Sequence, residues 1–382
     1  MNKYRTILVD KYSTWDFFFI LWFVTEYCFY HALINTLGVI LFIGISIIFA
    51  IKGKTHYNLI VPWLCMFILI CGLNILLGYS ISVSNSYDMI VSLLKDLLFL
   101  TALVGYVRGV GIERFKDRFV LGAFVSSIFM FILSVIYTGS LVVRNNSGLI
   151  NANYLAVCGS IASIIIVSND KEHLANKIWK LIYLTLFGIL AGTRKAILAL
   201  LIGIIVFFCA KYPKRLLKNT LISFAVLLTA YIALTRIPIL YNALGYRFVT
   251  AFDFFNGQSG DSSIYMRSYY IQKGLSEFET SPIIGHGINC FKTLPGTLET
   301  YSHNNYVELL FSVGLVGTIG FYSIHLISII RSILKRKNMD VANNCLCLAV
   351  LAIVLFVDYS MVSYYERGSL IYIVLFYMLL IQ

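Results

Sequence analysis

Four side chains in this 382-residue sequence carry groups suited to binding an anion and moving a proton beside it: Arg144, Arg194, Arg267 and His303. A guanidinium keeps its charge at any physiological pH and meets a phosphate through paired N–H groups. An imidazole titrates near neutrality, so it can accept a proton from a hydroxyl or donate to an anion. The sequence holds no metal-ligand spacing, no P-loop and no dinucleotide fingerprint, so neither a metal nor a nucleotide is implied.

The elements that must position these groups are membrane spans. The chain is 59% hydrophobic and 13% charged, with a mean hydropathy of +0.83; soluble chains carry about 25% charged residues. That excludes a soluble enzyme, a nucleic-acid-binding protein and a disordered chain. Aromatics reach 15%, as expected where rings sit at membrane interfaces. Twelve apolar stretches approach the length of a spanning helix, near 14–30, 33–51, 59–78, 89–106, 119–138, 149–167, 178–191, 196–210, 216–234, 304–330, 341–357 and 369–381. The expected fold is an all-α polytopic membrane protein of about twelve transmembrane helices. Its organisation is spans one to nine over residues 1–234, an extracytoplasmic loop or cap over 235–303, and spans ten to twelve over 304–382.

The net charge of +12 resolves by position. With both termini inside, every cytoplasmic segment between spans is basic, and together these segments hold two thirds of the 30 Lys and Arg. Merging the seventh and eighth spans, which meet at Gly192-Thr193-Arg194-Lys195, would put Lys211 to Lys218 outside and break the rule. The outer cations are Arg144, Arg194, Lys195, Arg236, Arg247, Arg267, Lys273, Lys292 and Arg367. Arg236, Arg247, Lys273, Lys292 and Arg367 read as a solvated face, with contact to a glycan open to any of them. Arg144, Arg194 and Arg267, with His303 where the chain re-enters the membrane, fit a lipid pyrophosphate.

The loop from Thr235 to His303 is long but rich in Phe and Tyr, so it reads as a small folded cap. Residues 256–261 and Gly285-His286-Gly287 are turns, and Ser262 to Thr280 is a helix ended by Ser281-Pro282. Most of the loop's rings should form its core. Gly314, Gly317 and Gly320 recur every three residues, which suits close helix packing. Lys95 and Asp96 lie within the fourth span, and each should pair with another span.

Ser302-His303-Asn304-Asn305-Tyr306-Val307-Glu308, followed by Gly314 and Gly317, resembles the signature of the O-antigen ligase and polysaccharide polymerase (Wzy-type) superfamily. Three further stretches resemble it in order: Arg144…Gly148…Asn151-Ala152-Asn153…Ala156, then Gly192-Thr193-Arg194, then Arg267…Pro282-Ile283-Ile284-Gly285-His286-Gly287. The matches cover about 144 to 320; the first four spans carry none. The resemblance implies a GT-C-like, inverting, metal-independent glycosyltransferase without a cofactor. Its donor would be a glycan on undecaprenyl pyrophosphate at the outer face of the bacterial cytoplasmic membrane. By similarity, Arg194 and Arg267 would hold the pyrophosphate and stabilise the leaving group, and His303 would act at the reacting centre. Arg144, Lys195, Asn304, Tyr306 and Glu308 join them as substrate-binding candidates. Asn304 and Tyr306 would orient His303 or bind sugar, and Glu308 would partner His303 or an arginine. Asn305 and Val307 occupy permissive positions.

The leading expectation is a polymerase that moves the growing chain onto a new lipid-linked repeat unit, with a second protein regulating chain length. A Lys-, Asn-, Ile- and Tyr-rich composition suggests an AT-rich genome, many of whose envelopes lack an outer membrane. An O-antigen ligase acting on lipid A-core is the alternative. A transporter of lipid-linked oligosaccharides is the second, against which stand the absence of internal symmetry and one lopsided loop.

Overall fold

The computed structural model describes residues 13–29, 33–51, 58–139, 152–255, 262–334 and 340–381. These residues form fifteen α-helices and no strand. Helices α1 (Ser13–Cys28), α2 (Leu33–Ile51), α3 (Ile60–Leu76), α4 (Val83–Val110), α5 (Ile112–Thr138), α6 (Ala152–Ser168), α7 (Leu174–Leu190), α8 (Arg194–Lys211) and α9 (Leu216–Arg236) come first. The cap holds α10 (Pro238–Leu240), α11 (Tyr246–Phe255) and α12 (Ser262–Phe278). Then α13 (Asn305–Leu334), α14 (Val341–Asp358) and α15 (Arg367–Met378) close the chain. The twelve apolar stretches are therefore twelve helices, α1–α9 and α13–α15. Helices α4, α5, α13 and α14 are long and apolar enough to cross a bilayer, and α2, α3, α6 and α15 hold shorter apolar runs. The protein is an all-α polytopic membrane protein. Helix is the form such runs must take, because a lipid-exposed backbone has to satisfy its polar groups within the segment.

The seventh and eighth stretches are separate helices. Gly192, at φ +62°, ends α7, and α8 begins two residues later. The basic segment Arg108 to Arg118, expected as a connection, is helical except at Gly111, where φ is +84°. Its charges are met on the helix surface: Asp16 of α1 pairs with Arg114 at 2.6 Å and Arg118 at 2.7 Å, and takes a hydrogen bond from the Tyr106 hydroxyl at 2.6 Å. Around this cluster α1, α2, α4 and α5 share a ring-packed core of Phe19, Trp22, Phe42, Phe99 and Phe115. Asp96 does pair with another span, since Arg367 of α15 lies 3.1 Å from it and 3.7 Å from buried Glu26 of α1. Arg367 is thus an internal counter-ion and not part of a solvated face.

Helix α13 is broken at Gly314, whose φ of +61° and ψ of −165° suit glycine. The break lies about 13 Å along the helix from its start. Cap residues 282–287 fill it. The N–H groups of His286 and Gly287 donate to the carbonyls of Phe311 and Ser312 at 2.8 and 2.9 Å, and those of Leu315 and Val316 donate to Pro282 and Ile283 at 2.9 and 3.2 Å. Asn74 of α3 donates to the Ile284 carbonyl at 2.9 Å, and Ile81 to that of His286 at 2.9 Å. Non-helical backbone is tolerated at membrane depth where protein buries it in this way. The three-residue glycine spacing is accordingly no packing stripe. Gly314 is the break, a Cβ at Gly317 would meet Val313 of its own helix, and only Gly320 faces another helix, α3, through Ile70 and Met66.

The cap helix α12 matches the expected helix within two residues, and Gly285 and Gly287 turn at φ +81° and +102°. Its core is smaller than the loop's aromatic content implies: Tyr270, Cys290 and Phe291 pack on Phe311 of α13, while Tyr241, Tyr246, Tyr265 and Tyr269 stay exposed. The expected turn at 256–261 lies outside the described residues.

Candidate active site beneath the cap

The site is built from four short pieces of chain. The first is the α7–α8 turn. Thr193 precedes α8 and donates its hydroxyl to the Asn153 side-chain oxygen at 2.8 Å, which joins the Asn153 and Gly192-Thr193-Arg194 stretches. Arg194 and Lys195 occupy the first turn of α8, half-buried. Arg194 donates to the carbonyl of Arg247 in α11 at 2.5 Å, and Arg247 donates back to the carbonyl of Gly192 at 2.8 Å. Arg247 therefore belongs to this turn, where its sequence position favoured a solvated face.

The second piece is the loop before α13. His303 adopts φ +58°, a left-handed conformation that costs a side chain strain and that His, Asn and Asp tolerate best. Its neighbours hold it there. The Asn304 side-chain oxygen accepts the N–H groups of Tyr306 and Val307 at 3.0 and 3.1 Å and so caps α13. Buried Glu308 accepts the Ser302 N–H at 2.8 Å. Asn304 and Glu308 thus clamp the backbone on both sides of His303. The Glu308 carboxylate is directed at that N–H, where an ion pair with His303 or an arginine was expected. The Tyr306 hydroxyl donates to the Leu355 carbonyl of α14 at 2.7 Å.

Third comes the cap helix α12. Tyr270 stacks on the His303 imidazole with centroids 6.0 Å apart, and Tyr301 lies 4.3 Å from it. Arg267 precedes Tyr270 by three residues, so both share one face of α12. Burial, then the charge of Arg267, then that of Lys195 push the His303 imidazole down to about 4. At neutral pH it is uncharged and holds a lone pair. Partial burial and the Glu366 carboxylate raise the Tyr301 phenol, which Arg267 opposes.

The fourth piece is residues 359–366, between α14 and α15. Lys195 donates to the Ser360 carbonyl at 3.3 Å, and Tyr154 to that of Val362 at 3.1 Å. Buried Asn305 accepts the N–H groups of Ser363 and Tyr364 at 2.9 and 3.3 Å and donates to Tyr322 at 2.9 Å and Asp358 at 3.3 Å. The position read as permissive is the hub that docks this loop. Asn305→Ala would take one donor from the buried Asp358, which keeps Tyr322 and Ser363, and would leave two loop N–H groups without their acceptor. It is expected to destabilise the protein by roughly 2–4 kcal/mol, read as a lowered Tm in detergent.

The structure thus brings His303, Arg267 and Lys195 within electrostatic reach of one another, with Arg194 next in the chain to Lys195. Asn304, Tyr306 and Glu308 bond the backbone around them. Arg144 lies outside the described residues. Arg247, Asn305 and Glu366 were not singled out from sequence. A buried amide one residue into a span carries a signal, because polar groups there are costly unless used; Arg247, within a long loop, carries none. Together the groups can hold an anion and accept a proton next to it.

Residues 180–322 match the family model for O-antigen ligase. The match runs from α7 into α13 and takes in Arg194, Arg247, Arg267 and His303. A comparison of the chain with curated proteins found no match.

Proposed function

We propose, from the match of residues 180–322 to the family model for O-antigen ligase, whose members are glycosyltransferase-like enzymes, that the chain is a polysaccharide polymerase. In this reading it transfers a glycan from undecaprenyl pyrophosphate to a lipid-linked repeat unit at the outer face of the bacterial cytoplasmic membrane. Both termini are then cytoplasmic, as the basic segments require, and a separate protein regulates chain length. The observation that carries the reading is His303, held at φ +58° against Tyr270 of the cap and within electrostatic reach of Arg267 and Lys195.

The chemistry follows from those charges. The acceptor hydroxyl oxygen attacks the anomeric carbon of the donor sugar, and the bond from that carbon to the pyrophosphate oxygen breaks with inversion. His303 takes the hydroxyl proton. Arg194 and Arg267 meet the charge growing on the departing pyrophosphate, where a preorganised cation is worth most. Pyrophosphate is already a good leaving group, so the residues present account for the step. Arg194→Ala and Arg267→Ala are each expected to lower transfer by about 10²–10³-fold. The measurement is chain extension on lipid-linked oligosaccharide by purified, correctly folded protein.

The ligase reading has a specific support of its own, the description of the matching family, and differs only in the acceptor. A gel of surface glycan from a deletion strain separates the two. Single repeats mean a missing polymerase, and long chains accumulating on the carrier lipid mean a missing ligase. Longer glycans made in detergent, with no membrane to cross, exclude a pure transporter.

A further inference from the structure

We propose that the groove between α8 and α9 binds an anionic phospholipid, with the lipid phosphate at Arg215 and Lys218 and an acyl chain along α8. The groove has a volume of about 570 Å³. Leu201, Ile204, Ile205 and Phe208 of α8, with Ile222 of α9, form its apolar wall. Arg215 and Lys218 lie at its other end, where the short turn Pro213–Arg215 leads into α9. The order of groups, apolar and then basic, is that of an amphiphile with a negative head.

The dimensions fit a lipid of one leaflet. From Leu201 to Lys211, the last residue of α8, the wall is about 15 Å long, half of a hydrocarbon core of about 30 Å. A diacyl phospholipid matches that depth, which a polyprenyl chain exceeds. The basic end is well fixed. Asn219 donates to the Phe208 carbonyl at 3.1 Å, which ties the first turns of α9 to α8, and the Tyr212 ring stacks on that of Phe208 with centroids 6.4 Å apart. Among the spans α9 packs on α8 and exposes Leu217, Leu221 and Phe224, so the groove opens toward lipid.

Charge singles this groove out. Lys211 is already taken, 2.8 Å from Asp170. Arg215 and Lys218 remain exposed at the groove, and among the described residues no acidic side chain lines it. A second groove, of about 500 Å³ beside α5, holds Lys116, Arg118 and Lys180, but Glu113, Asp117 and Glu172 line it too. Its charges are met within the protein, with Lys116 2.7 Å from Glu113 and Lys180 2.5 Å from Glu172. The α8–α9 groove must take its counter-charge from outside. Under the proposed orientation its basic end lies in the cytoplasmic leaflet, where basic pockets between spans attract anionic headgroups.

The test is lipid binding, read by native mass spectrometry on full-length protein in detergent with added phosphatidylglycerol, phosphatidylcholine or a polyprenyl phosphate. Wild type is expected to bind phosphatidylglycerol at least about 10-fold more tightly than phosphatidylcholine. Replacing both cations, Arg215→Gln with Lys218→Gln, should weaken phosphatidylglycerol about 30-fold, roughly 5-fold for each charge, and leave phosphatidylcholine unchanged. These cations also mark the orientation of α8 and α9, so a second variant leaves every charge in place. Ile205→Trp fills the apolar wall and should weaken phosphatidylglycerol about 10-fold, the worth of roughly two buried CH₂ groups, at a wild-type Tm. Equal wild-type affinity for the two phospholipids, or wild-type phosphatidylglycerol affinity in Ile205→Trp, would overturn the site. Tighter binding of the polyprenyl phosphate than of phosphatidylglycerol would overturn the choice of occupant. Neither result bears on glycan transfer, which is measured separately.

Discussion

His303→Asn is expected to lower glycan transfer by about 10²–10⁴-fold, the range a positioned general base contributes, while the protein folds as before. Asparagine is the informative replacement because His303 sits at φ +58°, where asparagine is among the few residues at ease. The loop then keeps its shape, with Asn304 capping α13 and Glu308 holding the Ser302 N–H. What is lost is the imidazole lone pair. The pH profile supplies a second readout. Burial, Arg267 and Lys195 bring the free protein's His303 down to about 4, so kcat/KM should be flat through neutrality and fall only as the pH drops through that value. A bound pyrophosphate offsets the two cations and raises the imidazole. The acid limb of kcat, which reports the donor-bound state, should therefore lie at higher pH than that of kcat/KM. On that proposal the donor would make the base stronger on arrival. Two coincident acid limbs, or full activity in the asparagine variant, would remove His303 from this role.

Gly314→Val should have the largest effect on stability. A Cβ at Gly314 would lie 2.3 Å from the Ile283 carbonyl oxygen and 2.6 Å from the Ile284 nitrogen, both backbone atoms that cannot swing aside. The residue would also be held at φ +61°, ψ −165°, a region essentially reserved for glycine that costs about 1–3 kcal/mol for other residues. Clash and strain together should exceed about 4 kcal/mol, at the diagnostic end of single-residue effects, and leave little monodisperse protein in detergent. Gly320→Ala is the matched comparison. Its Cβ meets only the flexible ends of Ile70, at 3.0 Å, and Met66, at 3.6 Å, and should cost under about 1 kcal/mol. Equal losses at the two glycines would restore the packing-stripe interpretation.

How far the sequence reveals this molecule depends on whether a local signal reaches the feature. The twelve helices were legible because a bilayer enforces one solution on each apolar run, and basic residues mark the run's ends independently. Arg194, Arg267 and His303 were drawn together by the stretches that carry them, and the structure does bring Arg267 within electrostatic reach of His303. The break in α13 was not. Gly314-x-x-Gly317-x-x-Gly320 has the spacing of a packing face, and only the approach of Pro282 to Gly287 from the cap shows otherwise. Arg247 was illegible because a residue's register within a long loop is set by tertiary contacts, here its bonds to Gly192 and from Arg194. Arg367 looked like a surface cation because its partners Asp96 and Glu26 lie hundreds of positions earlier in the chain. Asn305 was the avoidable omission, since a buried amide inside a span requires partners whatever the fold.

The strap at residues 282–287 bears on how the protein is made. The tenth span has a gap in its own ladder, and the groups that close the gap belong to the segment between the cap helix and the span itself. That span can settle at its final depth only once the segment before it is folded against it. Assembly of the last three helices is thereby made conditional on a correctly formed cap, so a chain with a misfolded cap would fail at insertion.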